Sequence, residues 1–421
     1  MKVLHINTYD RGGAANACLR LHLSLLEKGI ESNLLILHKF NKKDIPNCFV
    51  YKNIEKKKSL IKRLLWKILP VLKKNETIKA SIQKLIPETI EWFSFPDTGI
   101  DISTHPLYQD ADIINLHWTA NFLDYSFFEK NNKPIVWTLH DMNPFTGGCH
   151  YSFSCQKFQS NCSNCPQLQT IKEKDFSLDI FNYKKKYFLK EENVTVVCPS
   201  VWLEKQAKSS KLLANKKLFT IPYGIDSSVF KPHDKQFSRK LLGLPEDKRI
   251  ILFLSYSSKS SNKRKGLDLL SKGLELLNDF TGNTVLCVVG GKMDLSQITF
   301  QHFQYSAIAD EILMSVFYSA CDVFILPSLE DNLPNTVLES QMCGTPVIGF
   351  PIGGMIDSII DDENGYIAEE ITSESLASTI RKFLSRPDNF DSNKIRKKAL
   401  EKYDSPIQAE AYITIYKEAL E

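Results

Sequence analysis

Short, continuous apolar runs recur along the first half of the chain, each followed by a stretch long enough for a helix. They fall at residues 3–6, 34–37, 112–116, 135–139 and 194–198, the first reading Val3-Leu4-His5-Ile6 and the last Val194-Thr195-Val196-Val197-Cys198. A second set begins at Ile250-Ile251-Leu252-Phe253-Leu254 and continues through residues 284–289, 323–326 and 346–350. A strand with one wet face alternates apolar and polar residues, whereas a strand covered by helices on both faces is apolar throughout. The pattern predicts an α/β fold with two parallel sheets and two cores.

Between the sets lies Ile221-Pro222-Tyr223-Gly224-Ile225-Asp226, followed by Phe230-Lys231-Pro232. Its Pro, Gly and Asp residues suit a connection between domains. The boundary is expected near residue 225, giving domains 1–225 and 226–421, with a last helix at about 406–420 that can pack on either. A chain of 421 residues accommodates two such domains. No repeat with a period of 20–50 residues points to a solenoid.

At 43% hydrophobic and 24% charged residues, the composition is that of a soluble packed protein. A net charge of +4 is too small to imply a nucleic-acid partner. The charge is unevenly placed, because residues 52–84 hold 11 Lys/Arg against 2 Glu. Within that basic segment, Ile61, Leu64, Leu65 and Ile68 share one helical face beside lysines and arginines, with Trp66 next to them. The pattern fits a helix on the anionic inner face of a membrane, or one packed on its own domain with a solvated basic face. The run Met1-Lys2-Val3-Leu4-His5-Ile6-Asn7 lacks a signal-peptide core, and no stretch is apolar enough to span a bilayer. The expected compartment is therefore the cytoplasm, where the ten cysteines stay reduced.

Ligands of open parallel sheets bind beyond the carboxyl ends of the strands, so the segments just after strands carry the chemistry. After the first strand comes Asp10-Arg11-Gly12-Gly13, whose glycines let backbone N–H groups approach a phosphate or sugar, or simply form a tight turn. Thr138-Leu139-His140-Asp141 places His140 after another strand, where the plainer alternative is a satisfied core histidine; His117, in Leu116-His117-Trp118, is weighed the same way. The richest segment is Pro327-Ser328-Leu329-Glu330-Asp331-Asn332-Leu333-Pro334-Asn335-Thr336-Val337-Leu338-Glu339. It sets two carboxylates, Asp331 and Glu339, on either side of a strand-to-helix turn. One can accept hydrogen bonds from sugar hydroxyls and the other from ribose hydroxyls, while the helix N-terminus faces phosphate.

This segment resembles the E-x7-E region of retaining glycosyltransferase family 4, whose fold is GT-B: two Rossmann-like domains facing across a cleft. Ile221-Pro222-Tyr223-Gly224-Ile225-Asp226 is similar to that family's interdomain run, and Gly353-Gly354-Met355-Ile356-Asp357 to its GG-x-x-E turn. The resemblance spans nearly the whole chain, least at residues 45–105. It implies Asp331 on the donor sugar, Glu339 on the nucleotide ribose, and loop contacts from Asn332, Leu333, Asn335 and Thr336. It implies Lys265, in Lys265-Gly266, facing the diphosphate, and His140 near the reaction centre; the family's earlier Gly-Arg is absent, so either Arg264 or Lys263 substitutes or one positive contact is missing. Two departures are Asp331 in place of the first Glu and Asn332-Leu333-Pro334 in place of Gly-Phe-Gly; Pro334 has no N–H to donate. The activity implied is transfer from a nucleotide sugar to a glycan or glycolipid acceptor, with retention and without a required divalent cation.

Cys149, Cys155, Cys162 and Cys165 crowd into 17 residues after His140. Four thiols in a reducing compartment suggest a structural zinc site that pins a long loop, with unligated thiols or a disulfide as alternatives. The arrangement looks like that of family members similar to bacterial capsule, O-antigen and colanic-acid transferases. A GT-B nucleotide-sugar epimerase or phosphorylase would share the architecture, but an epimerase would release free sugar nucleotide without an acceptor. A zinc-stabilised nucleic-acid-binding protein would show steeply salt-dependent binding and leaves the Asp331/Glu339 loop unexplained.

Overall fold

A computed structural model of the chain describes residues 1–41, 44–52, 93–168, 176–255, 264–291, 295–296, 298–386 and 389–421. The basic segment 52–86, apart from Lys52, lies outside the described residues, as does 256–263 with Lys263.

The first sheet contains β1 (Lys2–Tyr9), β2 (Glu31–His38), β3 (Cys48–Val50), β4 (Ile113–Leu116), β5 (Ile135–Thr138), β6 (Val194–Cys198) and β7 (Lys217–Thr220). Their order in space is β3-β2-β1-β4-β5-β6-β7, with every pair parallel. The second contains β8 (Arg249–Ser255), β9 (Thr284–Gly290), β10 (Gln301–Ser306), β11 (Val323–Leu326), β12 (Val347–Gly349) and β13 (Gly365–Ile367), in the order β10-β9-β8-β11-β12-β13. All of these pairs are parallel too, with Ile251 opposite both Leu286 and Val323. The two-sheet α/β architecture expected from the apolar runs is thus the one observed.

Each sheet starts in its middle and grows first to one side, then to the other. The reversals, between β1 and β4 and between β8 and β11, open a crevice at the carboxyl ends of the strands where connecting loops diverge. Both central sets are buried: β4 and β5 of the first sheet and β11 of the second have no exposed residue. The strands that the apolar runs do not reveal are β3, β7, β10 and β13, the four sheet edges. An edge strand is covered on fewer sides, and β10 accordingly reads as polar and half-exposed.

The helix Ser405–Leu420 returns from the second half to the first sheet. Ile225 bonds back to the returning chain through Ile225 N to Tyr403 O at 2.7 Å and Ser405 N to Ile225 O at 3.1 Å. The helix then buries Tyr412 and Tyr416 with Val3, Leu21, Val136 and Val197. Its two phenols need partners in that core. Tyr416 donates to Asn115 Oδ1 at 2.5 Å, and the Tyr412 hydroxyl meets Thr138 Oγ1 at 2.8 Å. Among the described residues no helix is long and apolar enough to cross a membrane.

Candidate active site

The carboxyl ends of the two sheets face each other, and side chains bridge them. Asn335 Nδ2 donates to Gly13 O at 2.9 Å, and Asn332 Nδ2 donates to His140 O at 3.1 Å. Ser200 Oγ donates to Asn332 Oδ1 at 2.6 Å, and Arg20 Nη2 to Glu339 Oε1 at 2.8 Å.

Two helices begin at this junction. Gly12, at φ 95°, leads into helix Gly13–Glu27, and Pro334 leads into helix Asn335–Met342. Neither start has a side-chain cap, so backbone N–H groups of both remain for a ligand. Pro334 costs nothing there, because the opening N–H groups of a helix have no intrahelical partner anyway. Two positive dipole ends meeting at the Asn335–Gly13 contact favour an anion.

Cations line the same place. The Lys265 ammonium is ion-paired with Asp331, and Arg264 Nη1 lies 3.6 Å from Asp331 Oδ2 while donating to Glu330 O at 2.7 Å. Burial works to raise the Asp331 carboxyl, but Lys265 and Arg264 outweigh it and hold the group below its ordinary value. The loop is held by close backbone approach: a Cβ on Gly266 (φ 71°) would stand 1.7 Å from Pro327 O, and one on Gly353 (φ 48°) 1.6 Å from Asp331 O. Lys265-Gly266 and Gly353-Gly354 are therefore the two walls against which the loop 327–334 is set.

Glu339 faces the junction from its helix. Its Oε1 takes Arg20, and its Oε2 accepts from the Tyr318 hydroxyl at 3.1 Å. Of the loop residues singled out in the sequence, Asn332 is spent on Ser200 and His140, and Leu333 is buried in the second core. Thr336 is half-buried in the first turn of its helix. Among the described residues the buried Oδ1 of Asn335 has no hydrogen-bond partner.

His140 lies at the end of β5 with both ring nitrogens engaged. Nδ1 meets the Tyr223 hydroxyl at 2.8 Å and Nε2 meets His117 Nδ1 at 3.1 Å; His117 Nε2 in turn meets His5 Nδ1 at 2.9 Å. Burial pushes His140 down to about 4, and it pushes His117 and His5 down as well. The row is thus neutral near pH 7, and the His140 ring is a fixed group rather than a free one. His5 escapes notice in the sequence because it sits inside an apolar strand. Beside His140 a cleft in the first half is lined by Phe95, Trp118, Tyr125, Trp137 and Asp141. The Trp118 indole donates to Asp141 Oδ2 at 2.7 Å, and His150 Nδ1 meets the same oxygen at 2.6 Å.

Glu330, which nothing in the sequence sets apart from Asp331, joins the loop 327–334 to the cysteine loop. Its carboxyl accepts the Phe153 N–H at 2.9 and 3.0 Å, and burial pushes it up to about 7 against that hydrogen bond. Cys149, Cys155, Cys162 and Cys165 line one cavity next to Phe158 and Ser177. Among the described residues the one group of three or more ligand atoms all within 4.8 Å of one another is that of His5, Cys18 and His117, so a tetrahedral site in the loop requires the four sulfurs to draw closer. Lys184, buried beside Cys149 and Cys162, donates to the carbonyls of Asn143 and Thr146 and is pushed by burial down to about 8.

Residues 234–402 match the family described as Glycosyl transferases group 1. The match includes Lys265, the whole stretch from Asp331 to Glu339, and Gly353-Gly354. About two fifths of the chain is similar to curated D-inositol 3-phosphate glycosyltransferases. That of Acidothermus cellulolyticus is 27% identical over 185 residues, covering 40% of each chain, and that of Geodermatophilus obscurus 27% identical over 188 residues, covering 41% of each. The alignments thus span about two fifths of the length of these relatives. Over nearly the full chain the fold is that of sucrose-phosphate synthase from Thermosynechococcus elongatus, with a TM-score of 0.67, 18% identity and 99% of both chains covered. It is also that of Anabaena HepE solved with UDP-glucose, at a TM-score of 0.64 and 15% identity, covering 99% of this chain and 100% of that one. These likenesses show the GT-B type of fold.

Proposed function

We propose that the protein is a glycosyltransferase that holds a nucleotide-sugar donor on its second half and passes the sugar, with retention, to a growing glycan in the cleft of the first. The observation that carries this reading is the convergence of two uncapped helix N-termini, Lys265 with Arg264, and the carboxylates of Asp331 and Glu339 on one junction. The family match over residues 234–402 and the UDP-glucose held by HepE support it.

In this reading the diphosphate lies between the helix starts, where Lys265, Arg264 and backbone N–H groups stabilise the charge that builds up as the sugar leaves. Lys265 exchanges its partner Asp331 for phosphate, which frees that carboxylate for sugar hydroxyls. Glu339 accepts from the ribose. The acceptor hydroxyl enters beside Trp118 and His140 and attacks from the face the diphosphate leaves, held close by the cleft rather than activated by a free base; as the bond from the sugar carbon to the diphosphate oxygen breaks, the departing diphosphate takes the hydroxyl proton. Aromatic walls suit a sugar ring.

The finer parts of the reading rest on sequence. A lipid-linked surface-polysaccharide precursor is the acceptor class that agrees with a basic, amphipathic segment at 52–86, and binding of the full chain to anionic but not neutral vesicles tests the attachment. Zinc in the cysteine loop is proposed from four thiols on one cavity beside a buried lysine, whose charge would offset a tetrathiolate site.

A hydrolysis screen across UDP-, GDP- and ADP-sugars tests the activity, because slow hydrolysis reports a donor before the acceptor is known. One class is expected to release nucleoside diphosphate, faster when an acceptor glycan is added. Turnover of none of them, or acceptor-independent release of an altered sugar nucleotide, contradicts transfer.

A further inference from the structure

Arg20 belongs to helix Gly13–Glu27 of the first half, yet its guanidinium ends against the second. It is 6% exposed, with Nη2 on Glu339 Oε1 at 2.8 Å and on Glu311 Oε1 at 2.5 Å, and it lies 5.0 Å from the Phe230 ring centroid. Among the described residues its Nε and Nη1 have no hydrogen-bond partner. Leaving buried donors unpaired is costly, and a guanidinium presents its five N–H groups in a rigid fork that cannot turn to find others. A tie between the two halves needs only the nitrogen already used. The other donors lie beside the carboxylate to which the donor-site reading gives the ribose.

We propose that Arg20 completes the ribose subsite across the cleft and makes it select ribonucleotides over deoxyribonucleotides. The inference rests on the reading of Glu339 as the ribose carboxylate. A carboxylate only accepts hydrogen bonds and a guanidinium only donates them, whereas a hydroxyl does both. A ribose hydroxyl set between them donates to Glu339 and accepts from the idle N–H groups of Arg20, satisfying both buried partners. A sugar lacking that hydroxyl strands them, and sites built around a hydroxyl reject its absence strongly. Tyr318, on the other oxygen of Glu339, fixes the carboxylate so that Oε1 faces the arginine.

The test is calorimetric titration of the full chain with UDP, GDP and ADP, then with the 2′-deoxy and 3′-deoxy forms of whichever binds. The wild-type protein is expected to prefer the ribonucleotide at least about tenfold over one deoxy form. Arg20→Met, of similar length but without donors, is expected to lose about tenfold in ribonucleotide affinity, keep its affinity for that deoxy form, and so lose the preference. Arg20→Lys, which keeps the charge without the fork, is expected to lose the preference as well, and serves if the methionine variant does not fold. An unchanged ribo-to-deoxy ratio in a folded Arg20 variant overturns the proposal, as does tighter ribonucleotide binding, which would make Arg20 a plug on Glu339. If the wild-type protein binds no nucleotide, the donor-site reading fails and takes this proposal with it. If it binds and Glu339→Gln weakens binding while Arg20 variants do not, only the role of Arg20 fails.

Discussion

Gly266→Ala tests whether the donor loop is held by close backbone approach. Two penalties act on a Cβ there. The residue sits at φ 71°, in the left-handed region, where a side chain costs about 1–2 kcal/mol. The added atom would also stand 1.7 Å from Pro327 O, about half a normal contact distance. The obstacle is backbone, so the loop itself must move, at an overpacking cost of about 1–3 kcal/mol. Alanine recovers about 0.4–1 kcal/mol by restricting the unfolded chain, which leaves a net loss of about 1–5 kcal/mol. Two other glycines separate the terms. Gly243 has φ 67° and open space around it, so Gly243→Ala should show the conformational cost alone, about 1 kcal/mol. Gly282 has open space and no positive φ, so Gly282→Ala should be neutral or slightly stabilising. Urea unfolding ranks the three, and nucleotide titration of Gly266→Ala should show weakened binding because Lys265 and Asp331 move with the loop. A Gly266→Ala protein no less stable than Gly243→Ala, with unaltered nucleotide affinity, refutes the argument.

Glu330 gives a pH signature. Its carboxyl is raised from 4.5 to about 7, so the folded protein holds that proton more tightly than the unfolded one, and its contribution to stability falls as pH rises from about 4.5 to 7. Urea midpoints across pH 4.5–8 should show the wild-type protein losing about 2–3 kcal/mol relative to Glu330→Gln over that window; parallel curves would falsify the assignment. His140→Ala is expected to lower turnover more than nucleotide affinity, and unchanged turnover removes the residue from the reaction. Metal analysis of purified protein is expected to find one zinc per chain, lost in Cys162→Ser, and much less than one in the wild-type protein rejects zinc in the loop.

The central strands were legible because burial on both faces leaves an uninterrupted apolar run. The four edges were not, since Gln301-His302-Phe303-Gln304-Tyr305-Ser306 looks like loop until β9 is placed beside it. Asp331 and Glu339 could be picked out because they flank a strand-to-helix turn after an apolar run, and Lys265 because Lys265-Gly266 resembles the family's Lys-Gly pair. What each is bonded to could not be read, because the partners are remote: Arg20 and Glu339 are 319 residues apart, Tyr223 and His140 are 83 apart, and His5 and His117 are 112 apart. His140 shows the consequence. Position in the chain marked it for the cleft, but only the packing of Tyr223 and His117 on its two nitrogens reveals that the ring is already engaged. Glu330 was hidden for a related reason, since nothing local distinguishes it from Asp331 until the Phe153 N–H arrives from the cysteine loop.

The division of labour between Glu339 and Asp331 is the core of the account, and paired titrations test it most directly. The intact donor and its free nucleoside diphosphate are titrated into the wild-type protein, Glu339→Gln and Asp331→Asn, and turnover is measured for each. Glu339→Gln is expected to weaken both ligands, because the ribose is common to them, whereas Asp331→Asn is expected to spare the free nucleotide and lower affinity for the intact donor or its turnover. Equal loss of free-nucleotide affinity in the two variants, or no loss in Glu339→Gln, contradicts the account.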